Sequence, residues 1–165
     1  MKKTIFLFAA SFYIFFIQAC SKKSNAVLPP NNNEVNATVV LSPTSTININ
    51  AKGTKAPMGL NGWFGGGGYV DGTNDAGNAV VISIFSGIAG PGTYDYAGGY
   101  RCEYRINATS GTTPIYTNSG ANAGSIIFTK ADATSMEGSF AAVCRYGTDS
   151  VIVSGTFKGD YIGPK

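Results

Sequence analysis

Hydrophobic and polar residues alternate along most of the chain after residue 34, with the period of about two that is typical of half-buried β-strands. Groups of Gly, Asn, Asp, Ser and Thr interrupt this alternation, and no stretch keeps a helical period for three turns. The pattern predicts strands at Val35 to Leu41, Thr46 to Ala51, Gly59 to Phe64, Ala79 to Phe85, Gly92 to Tyr96, Tyr100 to Asn107, Ile115 to Asn118, Ser125 to Lys130, Glu137 to Arg145 and Ser150 to Lys158. We therefore expect an all-β fold, in which about ten short strands form a single antiparallel β-sandwich or barrel-like domain.

The strand from Tyr100 to Asn107 has the clearest alternation. Its apolar face carries Tyr100, Cys102, Tyr104 and Ile106, and its polar face carries Arg101, Glu103, Arg105 and Asn107. We expect the apolar face to be buried and the polar face to be solvated. The last two strands alternate in the same way, with Phe140, Ala142 and Cys144 inward on one and Val151, Val153, Gly155 and Phe157 inward on the other. Residues 146–149 between them predict the turn of a terminal β-hairpin.

The first twenty residues predict an export signal. Lys2 and Lys3 precede an uncharged, largely apolar run from residue 5 to residue 17, which is shorter than the ~20 residues that span a bilayer core. This run ends in Ile17-Gln18-Ala19-Cys20, and these four residues resemble the lipobox of bacterial lipoproteins. This resemblance implies cleavage before Cys20 and attachment of lipid to its thiol. An ordinary secretory signal that contains a cysteine is the alternative.

The chain then divides into a signal peptide (1–19), a lipidated cysteine with a flexible tether (20–34) and a β-rich domain (35–165). The tether contains Pro29-Pro30 followed by three consecutive asparagines, and its low hydrophobic content cannot offset the entropy of ordering. We expect a lipid-anchored protein of the cell envelope, on the outer membrane. Many surface-exported lipoproteins of the Bacteroidetes carry acidic residues after the cysteine, whereas residues 21–24 here are Ser-Lys-Lys-Ser. The periplasmic and surface faces therefore both remain open.

Three C-terminal segments carry a family resemblance: residues 124–130, residues 136–140 with the sequence MEGSF, and residues 151–159, which end in GTFKG. Together with the lipobox they resemble a group of small uncharacterised Bacteroidetes envelope lipoproteins, which end in an EGTF-like strand and a G-x-F-x-G strand. The resemblance covers about forty residues of strand and turn pattern. It implies an all-β envelope lipoprotein and carries over no catalytic residue.

Charge and composition exclude several functions. Twelve basic and nine acidic residues give a net charge of +3, and removal of Lys2 and Lys3 with the signal leaves a charge of +1. Nucleic acid is therefore not an expected partner. The sequence contains no histidine, which excludes Ser-His and Cys-His nucleophile pairs and most catalytic zinc sites. Asp95 and Glu103 are the one carboxylate pair to consider for a glycosidase, but Glu103 is better explained as a solvated partner of Arg101 and Arg105. We expect no enzymatic activity.

The cysteines predict a disulfide. With Cys20 lipidated, Cys102 and Cys144 remain as an even pair in an exported chain, and both occupy inward positions of strands. The alternative is two separate buried thiols. A metal site is not expected, because two cysteines without histidine make a poor zinc ligand set.

Two further clusters are interpreted as structural, and no cofactor is expected. Gly65 to Gly68 lacks the Lys and Ser/Thr of a phosphate-binding loop, and we interpret it as a connection or bulge. Asp71 to Asn78 has alternating oxygen ligands, but Ile82 stands where a calcium loop needs its bidentate Glu. An Asx-rich hairpin turn is the favoured interpretation of this segment.

Two hypotheses for function remain. The first is a structural or interaction lipoprotein that presents its loops to another envelope protein. The second is a carbohydrate-binding module with ligand-stacking aromatic residues at Trp63, Tyr69, Tyr94, Tyr96 and Tyr100. In addition, Asp149-Ser150-Val151 resembles the three-residue O-glycosylation sequon of Bacteroidetes, which makes Ser150 a possible glycosylation residue.

Overall fold

The computed structural model of the protein describes residues 31–61, 67–85, 90–95, 99–108, 114–118, 123–132 and 134–160. These residues form eleven strands and one 3-10 turn, Gly53–Lys55. The strands are β1 (Glu34–Ser42), β2 (Ser45–Lys52), β3 (Met58–Asn61), β4 (Gly67–Thr73), β5 (Ala79–Ile84), β6 (Gly92–Asp95), β7 (Tyr100–Arg105), β8 (Ile115–Asn118), β9 (Gly124–Ala131), β10 (Ser135–Tyr146) and β11 (Asp149–Asp160). The fold is all-β, as the alternation predicts. Among the described residues, no helix has the length and hydropathy needed to cross a membrane.

The strands form one antiparallel sheet that branches at β10. Its main path runs β2-β1-β11-β10-β8-β7-β5-β4-β3. Along one edge, β10 pairs over its full twelve residues with β11. Along its other edge, residues 136–142 pair with β9, and residues 144 and 145 pair with β8. β6 extends the second branch by pairing with β9.

The sheet curls into a half-barrel, so that β4 lies against β1 and β2. Gly72 permits this close approach, because a Cβ atom at this position would lie 2.6 Å from the Cγ1 atom of Val35. The inward side chains form one hydrophobic core, and their burial is the main stabilising term. The largest fully buried side chains include Tyr104, Phe128, Phe157, Ile49, Met58, Ile82, Ile84, Ile126 and Met136.

The structure confirms which side chains of the long strands were predicted to point into the core. Tyr100, Cys102 and Tyr104 are buried on β7, and Phe140, Ala142 and Cys144 are buried on β10. The terminal hairpin is also confirmed, because Tyr146 pairs with Asp149 across a two-residue turn. Gly147 begins this turn with a φ of +60°, and glycine at that position suits the right-handed twist of paired strands.

Strand β4 is missing from the predicted set, and this changes two interpretations. Gly67 and Gly68, expected in a connection or bulge, pair with β3, and residues 71–73, expected in a turn, pair with β5. Glycine has a low strand propensity, but pairing along both edges outweighs it here. Residues 62–64, at the end of a predicted strand, lie outside the described residues.

Candidate functional site

The predicted functional residues are spread over the chain. Cys20, the expected lipidation residue, lies outside the described residues, as do Trp63 and Tyr96. Ser150, the possible glycosylation residue, is exposed on β11 next to the hairpin turn and pairs with Arg145. Its position leaves the hydroxyl accessible.

The described aromatic residues do not share an exposed face. Tyr100 is only 5% exposed, and its ring centroid lies 5.3 Å from that of Tyr94. The Tyr94 ring contacts Phe128 edge-on at 5.6 Å, and its hydroxyl donates a 2.8 Å hydrogen bond to the carbonyl of Gly90. Tyr69 is half-buried on the opposite face of the sheet. Tyr94 and Tyr100 therefore act as packing residues, and no stacking platform is formed by these three rings.

The two cysteines of the domain meet in the core, although β8 lies between their strands. Both Cys102 and Cys144 are 0% exposed, and the Cys144 thiol lies 3.5 Å from the backbone oxygen of Cys102. Contact with the Cys144 thiol, together with burial, raises the pKa of Cys102 well above its ordinary value. Both thiols are free in the structure. The alternation along the two strands thus predicted that both cysteine side chains point into one core. The disulfide between them stays a prediction.

The prediction that Glu103 is solvated is wrong, because its side chain is only 7% exposed. Arg101 Nε lies 2.7 Å from one carboxylate oxygen and Arg105 Nε lies 2.9 Å from the other. These arginines, two residues before and after Glu103, share its face and cover it. Asp71 is also near Arg105, and burial raises the pKa of Asp71 although this arginine opposes the shift. Asp95 lies on β6, in the other branch of the sheet, so the structure does not present Asp95 and Glu103 as a catalytic pair.

The acidic segment at residues 71–78 ends in an Asx turn. The amide of Asn78 donates a 3.0 Å hydrogen bond to the Asn74 side chain, and the amide of Gly77 donates to the Asn74 carbonyl. Asp75 forms an ion pair with Lys55 instead of facing inward to a common centre. Within the described parts of the chain, no group of three His, Cys, Asp or Glu side chains converges on a metal position.

A row of alternating charges, which sequence reasoning missed, crosses the outer face of the sheet, the face that points away from the core. Strand register places five residues side by side from β2 to β9, in the order Lys52, Glu34, Lys158, Glu137 and Lys130. Opposite charges on neighbouring strands favour this register. The sequence signal is an outward charged residue near one end of each of these five strands, and only the register shows that the five residues are neighbours.

Within this row, Glu34 has the most hydrogen-bond and ion-pair partners. Asn36 Nδ2 donates a 3.0 Å hydrogen bond to its carboxylate, Lys158 Nζ lies at 3.1 Å and Lys52 Nζ at 3.4 Å. The Asn36 bond, followed by the two lysines, lowers the pKa of Glu34 from 4.5 to about 2. Glu34 is therefore a fixed anion at neutral pH.

The outer face is indented beside this row by an open trough of about 390 Å³. The trough is lined by Glu34, Asn36, Thr129, Glu137, Gly138, Ser139, Thr156, Phe157 and Lys158. A β-bulge shifts the pairing of β10 with β9 between Glu137 and Gly138, and the hydroxyl of Thr129 donates to the carbonyl of Glu137 at this point. A shallower depression of about 230 Å³ adjoins the trough and shares Glu137 and Lys158 with it.

Comparisons with known proteins give one structural likeness. No protein family matches the chain, and no curated protein is significantly similar to it. Among solved structures, the chain is similar to a polyisoprenoid binding domain from Saccharophagus degradans implicated in plant cell wall breakdown. The two are 7% identical, the alignment covers 78% of this chain and 94% of that chain, and the TM-score is 0.26. A likeness of this size carries no argument about the ligand.

Proposed function

We propose that the protein is a lipid-anchored interaction module of the bacterial cell envelope, without enzymatic activity. The observation that carries this proposal is the sequence Ile17-Gln18-Ala19-Cys20 at the end of a short apolar run. Two acyl chains on the glycerol attached to Cys20, and a third on its amine, suffice for stable anchoring, whereas one chain is marginal. The domain then acts by binding a partner, an envelope protein or a glycan.

The described structure is compatible with this arrangement. Strand β1 begins at Glu34, fourteen residues after Cys20, and an extended segment of that length reaches at most ~50 Å. Such a tether lets the domain bind a partner at a distance from the headgroups. We also propose that a thiol oxidant of the exported compartment takes two electrons and two protons from Cys102 and Cys144 to form a disulfide, since both residues are buried and the Cys144 thiol lies 3.5 Å from the backbone oxygen of Cys102.

The anchor is tested by the Cys20→Ser variant. We expect the wild-type protein to pellet with membranes, to resist carbonate extraction and to incorporate labelled palmitate, and the variant to lose all three properties. Cys102→Ala is the matched control, because it removes a cysteine of the core and should leave attachment unchanged. A Cys20→Ser protein that still pellets and resists carbonate would show that lipid on Cys20 is not the anchor.

A further inference from the structure

The trough on the outer face is large enough to hold a small ligand. It crosses β1, β11, β10 and β9, and four strands at the usual spacing span roughly 14 Å. Its volume of about 390 Å³ lies within the range of small-molecule sites, about 300–1,000 Å³. Most of its walls belong to regular strands, which hold side chains more rigidly than loops.

Most residues that line the trough are polar, and they include both hydrogen-bond donors and acceptors. Glu34 and Glu137 only accept hydrogen bonds, Lys158 only donates, and the amide of Asn36 and the nearby hydroxyls do both. An apolar ligand would desolvate these groups without satisfying them. A polyanion such as nucleic acid would meet the two carboxylates. A ring that carries several neighbouring hydroxyls, each of which both donates and accepts, matches this lining.

Several of these groups are free to bind. Within the described residues, the side chains of Glu137, Ser139 and Thr156 make no hydrogen bond or ion pair. Glu34, by contrast, is fixed by Asn36, Lys52 and Lys158. The trough therefore combines a charged wall that is already ordered with polar groups on β10 and β11 that have no other partner among the described residues. Because the wall is ordered before a ligand binds, less side-chain entropy is lost on binding.

We infer that this trough, between Glu34 on β1 and Thr129 on β9, is a glycan-binding site that recognises a short neutral saccharide through Glu137, Ser139 and Thr156. The inference deepens the proposed function, because it names the class of partner that the interaction module binds, and it rests on that function only for the claim that the module acts by binding. The site relies on hydrogen bonds to sugar hydroxyls and not on the aromatic residues that the sequence suggests.

The test uses the purified full-length protein in detergent on an array of neutral plant cell-wall and bacterial-envelope oligosaccharides, followed by calorimetric titration of each bound glycan. We expect at least one glycan to bind, and Glu137→Gln and Thr156→Val each to weaken its Kd about tenfold, which corresponds to the loss of a hydrogen bond to a charged or well-placed group. Thr46→Val is the matched control, since Thr46 is exposed on β2 outside the trough. Thermal unfolding of each variant checks that it is folded.

Three outcomes would overturn the inference: no glycan bound on the array, binding unchanged in both trough variants, or binding lost in Trp63→Ala while both trough variants bind normally. The last result would place the glycan on the aromatic residues. Because membrane release of the Cys20→Ser variant is measured separately, a failed anchor and a failed trough give different results.

Discussion

Glu34 has a pKa that makes its contribution to stability depend on pH. Its folded-state pKa is lowered from 4.5 to about 2, chiefly by Asn36 and Lys158. The carboxylate therefore stabilises the fold above about pH 4.5, and this stabilisation is lost as the pH falls through about 2. The effect is small because the group is near the surface.

We expect Glu34→Gln to unfold at a slightly lower temperature than the wild-type protein at pH 7, and we expect this difference to be largely lost near pH 2. Thermal unfolding followed by circular dichroism across this range measures the difference. Glu137→Gln is the control, since Glu137 is a carboxylate on the same face without such donors. A difference between Glu34→Gln and wild type that stays constant from pH 7 to pH 2 would contradict the assignment.

The sequence predicts the direction of individual side chains better than their exposure. Alternation places Cys102 inward and Glu103 outward, and both positions are confirmed. Glu103 is nevertheless buried, because long arginine side chains on the same face fold over it. Alternation gives the face of the sheet, whereas exposure depends on the length and charge of the neighbours on that face.

At the scale of the strands, the cysteine pair brings β7 and β10 together at the level of Asn118, the last residue of β8. A disulfide between Cys102 and Cys144 would close a loop of about forty residues, which stabilises by ~4 kcal/mol on the chain-entropy estimate. We expect the mature, exported protein to have a mass two hydrogens below that of the reduced form, and both thiols to resist alkylation in denaturant without reductant. Labelling of both residues under these conditions would show free thiols. Cys102→Ala should lower the unfolding midpoint and leave membrane attachment intact.

Strand pairing explains why the candidate trough could not be predicted. The long strands β10 and β11 are evident from alternation because one face of each is buried. The branch at β10, where one edge pairs with β9 and then with β8, depends on contacts between segments that are far apart in sequence. The row from Lys52 to Lys130 draws on five strands, and each of its residues alone looks like an ordinary exposed position.

At the scale of the whole molecule, the candidate trough lies at the end of the sheet where the chain enters the domain. β1 begins at this end, β2 and β9 finish there, and β11 reaches it at Asp160. Glu34, in the wall of the trough, is the last residue of the segment predicted as a tether, although the structure places it in β1. If Cys20 is lipidated, the segment that carries the anchor therefore joins the domain at the wall of the trough.

Asn33, which the sequence analysis assigns to the tether, is held against the folded domain. Its carbonyl accepts a 2.8 Å hydrogen bond from the amide of Gly53, its side-chain oxygen accepts a 2.9 Å bond from the amide of Asp160, and the residue is 2% exposed. We expect a chain that begins at Asn31 to unfold at the same temperature as the mature protein. A chain that begins at Asn36 should lose about 3–5 kcal/mol, because it lacks these two hydrogen bonds and a buried valine of β1. Thermal and urea unfolding of both chains measures the difference. A chain from Asn31 that is as unstable as the shorter one would show that residues 20–30 pack on the domain, which would contradict their role as a tether.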